Sequence, residues 1–288
     1  MSRRRAFTLV ELLVVIAIIA LLMSILMPAL AKVKKQAKNV LCQASLKQWC
    51  LIFTMYAESN DGYFHKEMGG LSYGWVAALR PFYSGHDRTT TAGESSAEKD
   101  IRVCPAATKF WWDENHLNTG TFGRPDSAWG IFSGGTDDQG AWWAFKGDCG
   151  SYGLNGWICN DDDEFADWHP GWQPANVWRK PDVKGAGNIP MFMDALWVDG
   201  WPKPSDDPPA IEGEIGTYVN EAMKQFCVNR HDGGNLNSLF MDCSVRQVGL
   251  KELWTLKWHR YFKTDGVWTT AGGGKPLWPE WMKTFKEY

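Results

Sequence analysis

The longest hydrophobic pattern in the chain lies near its N-terminus. Between residues 7 and 27 only Thr8, Glu11 and Ser24 interrupt the apolar side chains. A run of roughly 20 apolar residues is the length that a helix needs to cross the hydrocarbon core of a bilayer. The three arginines at positions 3–5 are expected to stay on the cytoplasmic side. The pattern therefore predicts a single membrane-spanning helix, with the rest of the chain beyond the membrane.

The helical pattern continues past the membrane segment to Tyr56. Pro28 lies inside it, and because proline removes a backbone hydrogen bond, we expect a kink or local melting there. Beyond Pro28, two apolar stripes follow helical spacing on different sides. We predict that the first, the head stripe, packs on the chain's own globular part and that the second, the outer stripe, meets neighbouring subunits; a helix fully buried in its own domain is the alternative. The head stripe consists of Cys42, Leu46, Trp49, Phe53 and Tyr56, and the outer stripe of Ala37, Leu41, Ala44, Leu51 and Met55.

Glu11 is the residue that a lipid environment does not explain. A carboxylate inside a membrane segment costs about 2.5 kcal/mol or more, so it indicates a function. Cleavage between Ala6 and Phe7 would create a new α-amino group four residues before Glu11. The amine and the carboxylate would attract each other strongly in hydrocarbon, where little solvent screens them. Between neighbouring chains, such a pair would set the register of stacked helices.

The segment AFTLVE, followed by LLVVIAIIALL, resembles the cleavage and methylation segment of type IV pilins and type II secretion pseudopilins. The resemblance implies a leader of residues 1–6, a prepilin peptidase that cuts before Phe7 and methylates the new amine, and a Glu11 that is needed for assembly. The family usually has glycine where Ala6 stands, and we expect alanine, which is also small, to permit cleavage. An ordinary secretory signal ending near Ala31 and a plain membrane anchor are the alternatives, and both leave Glu11 unexplained.

Residues 61–288 are predicted to form one globular head. Asn188–Trp197 has the composition of a buried strand, and Pro190 near its start suggests the edge of a sheet. Two further strand-like runs, Asn237–Asp242 and Ser244–Val248, precede a segment of helical spacing. An antiparallel sheet of this kind can pack one face on the long helix. The predicted fold is α+β and pilin-like: a leader (1–6), a long kinked helix (7–60) and a tryptophan-rich head (61–288).

A second resemblance lies near the C-terminus. The stretch RHDGGNLNSLFMDCSVRQVGLKELWTLKWHR resembles the signature of large pilin-like families of planctomycete-type bacteria, in which a histidine precedes Asp-Gly by about nine residues. Here ten residues separate His231 from Asp242, and Cys243 stands in the glycine position. We interpret His231 as a structural residue of a β-turn whose side chain bonds backbone groups. The sequence has no nucleophile elbow, phosphate loop or zinc-ligand motif, so we predict no enzymatic activity and no cofactor.

The seven cysteines fit an oxidising compartment and leave at least one residue unpaired. A Cys42–Cys104 disulfide would fasten the head to the helix, and a Cys149–Cys159 disulfide would close a hairpin-sized loop, although sequence does not determine connectivity. Calcium is a further possibility at the acidic run 161–164, with Asp161 and Asp163 as candidate ligands, because the secretion pseudopilins carry calcium in a head loop. The run lacks the ligand spacing of a calcium loop, which favours a solvated acidic loop.

The eighteen tryptophans fall almost entirely in the head. Large rings can replace aliphatic residues as the core of a loop-rich segment, and the alternative is that exposed rings bind polysaccharide. The net charge of −3 does not favour nucleic acid as a partner. The resemblance implies a filament subunit, anchored in the inner membrane with a periplasmic head, that contacts copies of itself, prepilin peptidase and an inner-membrane assembly platform. An extracellular pilus and a periplasmic secretion filament both remain open.

Overall fold

One long helix, α1, runs from Leu9 to Glu58 and dominates the computed structural model. Its N-terminal part is long and apolar enough to cross a membrane, with a mean hydropathy of 3.0 over 18 residues, and none of that window is buried. The membrane-spanning segment that the sequence predicts is thus an apolar helix whose side chains no other described part of the chain covers. The structure describes residues 9–66, 74–83, 101–107, 122–130, 135–136, 142–144, 149–161, 173–216, 221–273 and 277–288.

Helix α1 continues through Pro28 without interruption, so the local melting that we considered at this position does not occur in the structure. A proline removes the hydrogen bond to the carbonyl of the residue four positions earlier, which here is Ser24. The loss is confined to that turn, where the Ser24 hydroxyl donates to the carbonyl of Leu21 at 2.7 Å. The flanking helical hydrogen bonds are sufficient to hold the two halves as one element.

The head is built on a five-stranded sheet that packs against α1. The strands of the described residues are β1 (Trp129–Gly130), β2 (Gly135–Thr136), β3 (Trp142–Ala144), β4 (Cys149–Gly150), β5 (Tyr152–Asn155), β6 (Pro190–Asp194), β7 (Asp199–Gly200), β8 (Asn235–Phe240) and β9 (Val245–Gly249). The sheet has the order β7-β5-β6-β8-β9, and α1 contacts β6, β8 and β9. All its pairings are antiparallel except β5–β7, which is parallel. The predicted α+β fold with an antiparallel sheet is confirmed, with one parallel pair added at its edge.

The assignment of Pro190 to a sheet edge is wrong, because β6 lies between β5 and β8. Pro190 is the first residue of β6, and the pairing with β8 shifts register between Pro190 and Phe192. A proline at the start of a strand beside an irregularity does not remove a donor from a regular ladder. The predicted hairpin is confirmed as β8–β9, in which Asn235 pairs with Gly249.

Short helices complete the head. Helix α2 spans Gly74–Tyr83 and packs against α1. The segment of helical spacing after β9 forms a 3-10 helix rather than an α-helix. The 3-10 helices of the described residues are Ala186–Asn188, Ala222–Gln225, Leu250–Thr255, Thr270–Gly272 and Glu280–Met282.

The two stripes of α1 have opposite environments. The head stripe is buried against the sheet, apart from the half-buried Tyr56. Trp49 lies at its centre, with its ring centroid 4.8 Å from that of Phe192 and 5.6 Å from that of Trp75. The outer stripe is exposed along its whole length, and Leu51 retains 64% of its accessible surface. The chain's own head therefore covers one side of the helix only.

The tryptophans whose side chains the structure describes are buried or half-buried, which confirms the core interpretation for these residues. Several indole N–H groups donate to loop carbonyls: Trp157 to Pro202 at 2.9 Å and Trp254 to Asp206 at 2.8 Å. The rings therefore order segments that have no regular secondary structure. The side chains of Trp111, Trp112, Trp142, Trp143, Trp168 and Trp172 lie outside the described part.

Candidate functional sites in the N-terminal segment and at the helix–head joint

The predicted processing site lies at the very start of the chain. Ala6 and Phe7 are outside the described residues. Glu11 lies in the first described turn of α1 and is exposed, as are the apolar residues that follow it. The carboxylate therefore lies on the exposed surface of the apolar segment.

A buried polar cluster occupies the joint between α1 and the head. Its centre is Asp194, the last residue of β6, whose side chain is fully buried. Arg230 Nη1 lies 3.1 Å from Asp194 Oδ1, and His231 Nε2 lies 3.0 Å from Asp194 Oδ2. The backbone N–H of Asn237 on β8 donates to Oδ2 at 2.9 Å. One carboxylate thus joins β6, β8 and the segment that precedes β8.

Two cysteine thiols complete this cluster, which we call the joint cluster: Cys42, Cys104, Asp194 and His231. Cys42 Sγ, from the head stripe of α1, lies 3.7 Å from Asp194 Oδ2, and the Tyr152 hydroxyl donates to it at 3.3 Å. Cys104 Sγ lies 3.5 Å from His231 Nε2. One ligand-type atom of each of the four residues lies within 4.8 Å of the other three, so these side chains have the composition and spacing to hold a metal ion.

The charges in the cluster change the protonation of its members. Burial raises the pKa of the Asp194 carboxyl, but the charge and hydrogen bond of His231 and the charge of Arg230 outweigh this effect and lower the pKa to about 2. Burial lowers the pKa of His231, but the neighbouring Asp194 charge dominates and raises it to about 10. Burial raises the pKa of the Cys104 thiol, which hydrogen bonds with Cys42 and His231 bring down to about 7. Burial raises the pKa of the Cys42 thiol well above its usual value.

Arg230 also holds the loops around the cluster. Its guanidinium donates to the carbonyls of Ala195 and Arg124, each at 3.1 Å, and to that of Pro125 at 3.1 Å. Hydrogen bonds to charged donors are stronger than neutral ones. The arginine therefore fixes backbone segments that sequence alone would leave as unconnected loops.

The predicted disulfide pairings are wrong in this structure. The disulfide of the structure joins Cys50 to Cys243, whose Cα atoms are 5.6 Å apart. Cys42 and Cys104 do come together, as the prediction required, but as buried thiols. Cys149 and Cys159 are likewise buried as thiols rather than as two halves of a disulfide. Cys50 can pair with Cys243 because it lies two helical turns beyond Cys42, where α1 meets the β8–β9 turn.

The C-terminal signature folds as a turn in spite of its departure from the usual residues. Cys243 adopts φ +65°, the left-handed conformation that glycine accepts most readily. Asp242 Oδ1 accepts from the backbone N–H of Ser244 at 2.8 Å, which closes the turn. The interpretation of His231 as a residue that bonds backbone groups is wrong, because its ring pairs with Asp194. The signal that sequence reasoning missed was the carboxylate at the end of the buried run PMFMD.

Asp161, one of the two calcium candidates, is buried. Asp163 lies outside the described residues. A cavity of about 520 Å³ lies beside the joint cluster, between α1 and the head, and His231 reaches its wall. Its lining includes Lys32, Lys35 and Lys38 from α1.

Comparison with known proteins finds a family match for the N-terminal segment. Residues 1–27 match the family model of the prokaryotic N-terminal methylation motif. The chain is also similar to the type IV wide pilus major component PilA4 of Thermus thermophilus, with 36% identity over 74 residues, which are 26% of this chain and 56% of the relative. The chain thus spans about half the length of the curated relative that it matches. No solved structure matches significantly. Together with the long apolar helix and the α+β head, these matches show that the chain resembles the type IV pilins.

Proposed function

We propose that this protein is a structural subunit of a type IV pilus-type filament. The observation that carries the proposal is a helix with two apolar sides, one covered by the chain's own head and one exposed. The methylation motif over residues 1–27 and the similarity to a pilus component support it. The role is structural rather than catalytic.

The proposed precursor is a single-pass protein of the inner membrane with its head in the periplasm. Prepilin peptidase cleaves between Ala6 and Phe7 and methylates the new amine of Phe7. The positive amine then attracts Glu11 of a neighbouring subunit, because opposite charges in hydrocarbon are weakly screened. Since removing a carboxylate from water is itself costly, Glu11 contributes register rather than net stability.

The cohesion of the filament comes from apolar burial. Side chains of the membrane segment and of the outer stripe, among them Leu41, Leu51 and Met55, are exposed in the single chain. Each square ångström of apolar surface removed from solvent stabilises an assembly by about 25 cal/mol. In the precursor, the bilayer covers the apolar membrane segment. An inner-membrane assembly platform would transfer the subunit into the filament, where the helices of neighbouring subunits cover the same segment.

Polysaccharide binding receives no support from the described part of the head, because its tryptophan rings are buried or half-buried.

The test compares Glu11→Ala with Glu58→Ala, a second exposed glutamate on the same helix. Both variants should insert in the membrane as the wild type does. Mass spectrometry of the intact N-terminus should show a chain that begins at methylated Phe7, and electron microscopy of sheared fractions should count filaments.

We expect filaments from the wild type and Glu58→Ala but none from Glu11→Ala. Wild-type numbers of filaments from Glu11→Ala would contradict the role of Glu11. A mature wild-type chain that begins near Lys32, or one that keeps Met1, would contradict prepilin processing and with it the proposed function.

A further inference from the structure

The joint cluster brings four side chains of metal-ligand type together from four separate parts of the chain. Cys42 comes from α1, Cys104 from the segment 101–107, Asp194 from the end of β6, and His231 from the turn before β8. All four side chains are buried, with the His231 ring 2% exposed. Two sulfur atoms, an imidazole nitrogen and a carboxylate oxygen form a ligand set typical of a borderline-soft divalent ion.

Three of the six distances between the ligand atoms are close to those of a tetrahedral site. Zinc binds sulfur at about 2.3 Å and nitrogen or oxygen at about 2.0–2.1 Å, so tetrahedral geometry separates sulfur from nitrogen or oxygen by about 3.5 Å. The structure has 3.5 Å between Cys104 Sγ and His231 Nε2 and 3.7 Å between Cys42 Sγ and Asp194 Oδ2. The 3.0 Å between His231 Nε2 and Asp194 Oδ2 is shorter than the tetrahedral edge of about 3.3 Å. In these three pairs an ion requires movements of a few tenths of an ångström, and the other three pairs of ligand atoms lie within 4.8 Å.

The surroundings of the cluster resemble the outer shell of a metal site, in which ligands are held by further hydrogen bonds. Arg230 and the N–H of Asn237 hold the Asp194 carboxylate, and the Tyr152 hydroxyl donates to Cys42 Sγ. The charges also balance. Two thiolates and one carboxylate carry three negative charges, and a divalent ion with the buried Arg230 supplies three positive ones.

We propose that Cys42, Cys104, Asp194 and His231 form a structural zinc site that fastens α1 to the head. The two cysteine thiols and the protonated His231 ring each lose one proton to solvent as the ion binds, and the ion completes a closed four-ligand shell. The site joins segments that are up to 189 residues apart in the sequence, from Cys42 to His231. The proposal does not depend on filament assembly.

The test uses the full chain, purified in detergent, saturated with Zn²⁺ and then freed of loosely bound metal. Elemental mass spectrometry should find one zinc per chain in the wild type and in Cys227→Ala. This variant is the control, because Cys227 is a buried cysteine outside the cluster. The Cys42→Ala and Cys104→Ala variants should lose most of the bound zinc. Chelator should lower the melting temperature of the wild type but leave that of Cys104→Ala unchanged.

Two measurements on the wild type keep the test decisive if a variant fails to fold. Replacement of the zinc by Co²⁺ should produce a thiolate-to-cobalt charge-transfer band, and alkylation after unfolding should label five cysteines, since one disulfide is present. A wild type without stoichiometric zinc, a cobalt form without the thiolate band, or a Cys42–Cys104 disulfide that leaves only three cysteines to label would each overturn the proposal.

Discussion

At the scale of single residues, the buried contacts of Asp194 predict a large loss of stability when its charge is removed. Asp194→Asn removes the charge that faces Arg230 and His231, all three with side chains no more than 2% exposed. Removing one partner of a buried pair leaves an uncompensated charge and costs about 3–5 kcal/mol. We expect this loss in the free energy of unfolding, measured by urea denaturation of the detergent-solubilised chain with tryptophan fluorescence.

The matched control is Asp232→Asn. Asp232 pairs with Lys35 at 2.9 Å, but both side chains are 66% exposed. Exposed ion pairs contribute no more than about 1 kcal/mol. If Asp194→Asn and Asp232→Asn cost the same, the joint cluster does not stabilise the fold in the way its burial implies.

His259 provides a prediction on pH. Its ring packs on Trp157, with centroids 4.7 Å apart, and burial together with the Lys257 charge lowers its pKa to about 4. In the unfolded chain this histidine binds a proton near pH 6.5, whereas in the folded chain it does so only near pH 4. The stability that the neutral, buried ring contributes is therefore fully present above pH 6.5 and is lost as the pH falls toward 4. Between pH 7 and pH 5 the loss in the free energy of unfolding is at most about 2 kcal/mol.

The measurement is urea denaturation of wild type and His259→Gln across this pH window. Other groups titrate in both proteins, so the difference between the two pH slopes isolates His259. Equal slopes in the two proteins would contradict a buried neutral imidazole at this position.

At the scale of elements, the contact between α1 and the β8–β9 hairpin is the joint that matters most. Polar contacts line it, since Gln43 donates to Asn237 at 3.0 Å and Asn237 to Asn39 at 2.8 Å. The Cys50–Cys243 disulfide crosses the same joint and links residues 193 positions apart. A cross-link between distant residues removes much conformational freedom from the unfolded chain.

Loss of this disulfide should therefore cost about 2–5 kcal/mol. The informative pair is Cys243→Ala and Cys243→Gly, because both lose the disulfide while only glycine accepts φ +65° without steric cost. We expect Cys243→Gly to be more stable than Cys243→Ala by up to about 1 kcal/mol, as measured by urea denaturation under oxidising conditions. An alanine variant at least as stable as the glycine variant would contradict the left-handed turn.

At the scale of the whole molecule, the uncovered side of α1 separates folding from assembly. Leu51→Asp places a charge on the outer stripe, where the single chain leaves the side chain exposed. The free energy of unfolding should change by no more than about 0.5 kcal/mol, as is usual for surface substitutions. Filament numbers in electron micrographs should fall strongly, because the charge would be buried between subunits without a partner.

Gln48→Asp is the control, since Gln48 is exposed on α1 but belongs to neither stripe. It adds the same charge and should leave filament numbers unchanged. A Leu51→Asp variant that assembles as well as Gln48→Asp would mean that the outer stripe is not an interface between subunits.

Local patterns were sufficient wherever a short segment carries its own physical reason. The apolar run around Glu11, the two stripes of α1 and the β8–β9 hairpin follow from periodicity and turn chemistry over a few residues. Pro190 shows the limit, because its place in the middle of the sheet depends on which strands pair on either side of β6. Edge and centre are properties of the sheet, not of the strand.

The amino-acid sequence by itself determined the membrane-length helix, the methylation segment and the α+β class, because hydrophobic spacing and local motifs encode them. Only the tertiary structure decided that Cys50 pairs with Cys243, and that Cys42, Cys104, Asp194 and His231 meet in one buried cluster. These contacts join residues more than 30 positions apart. Their free energy depends on burial, charge and distance in three dimensions, which no local pattern along the chain specifies.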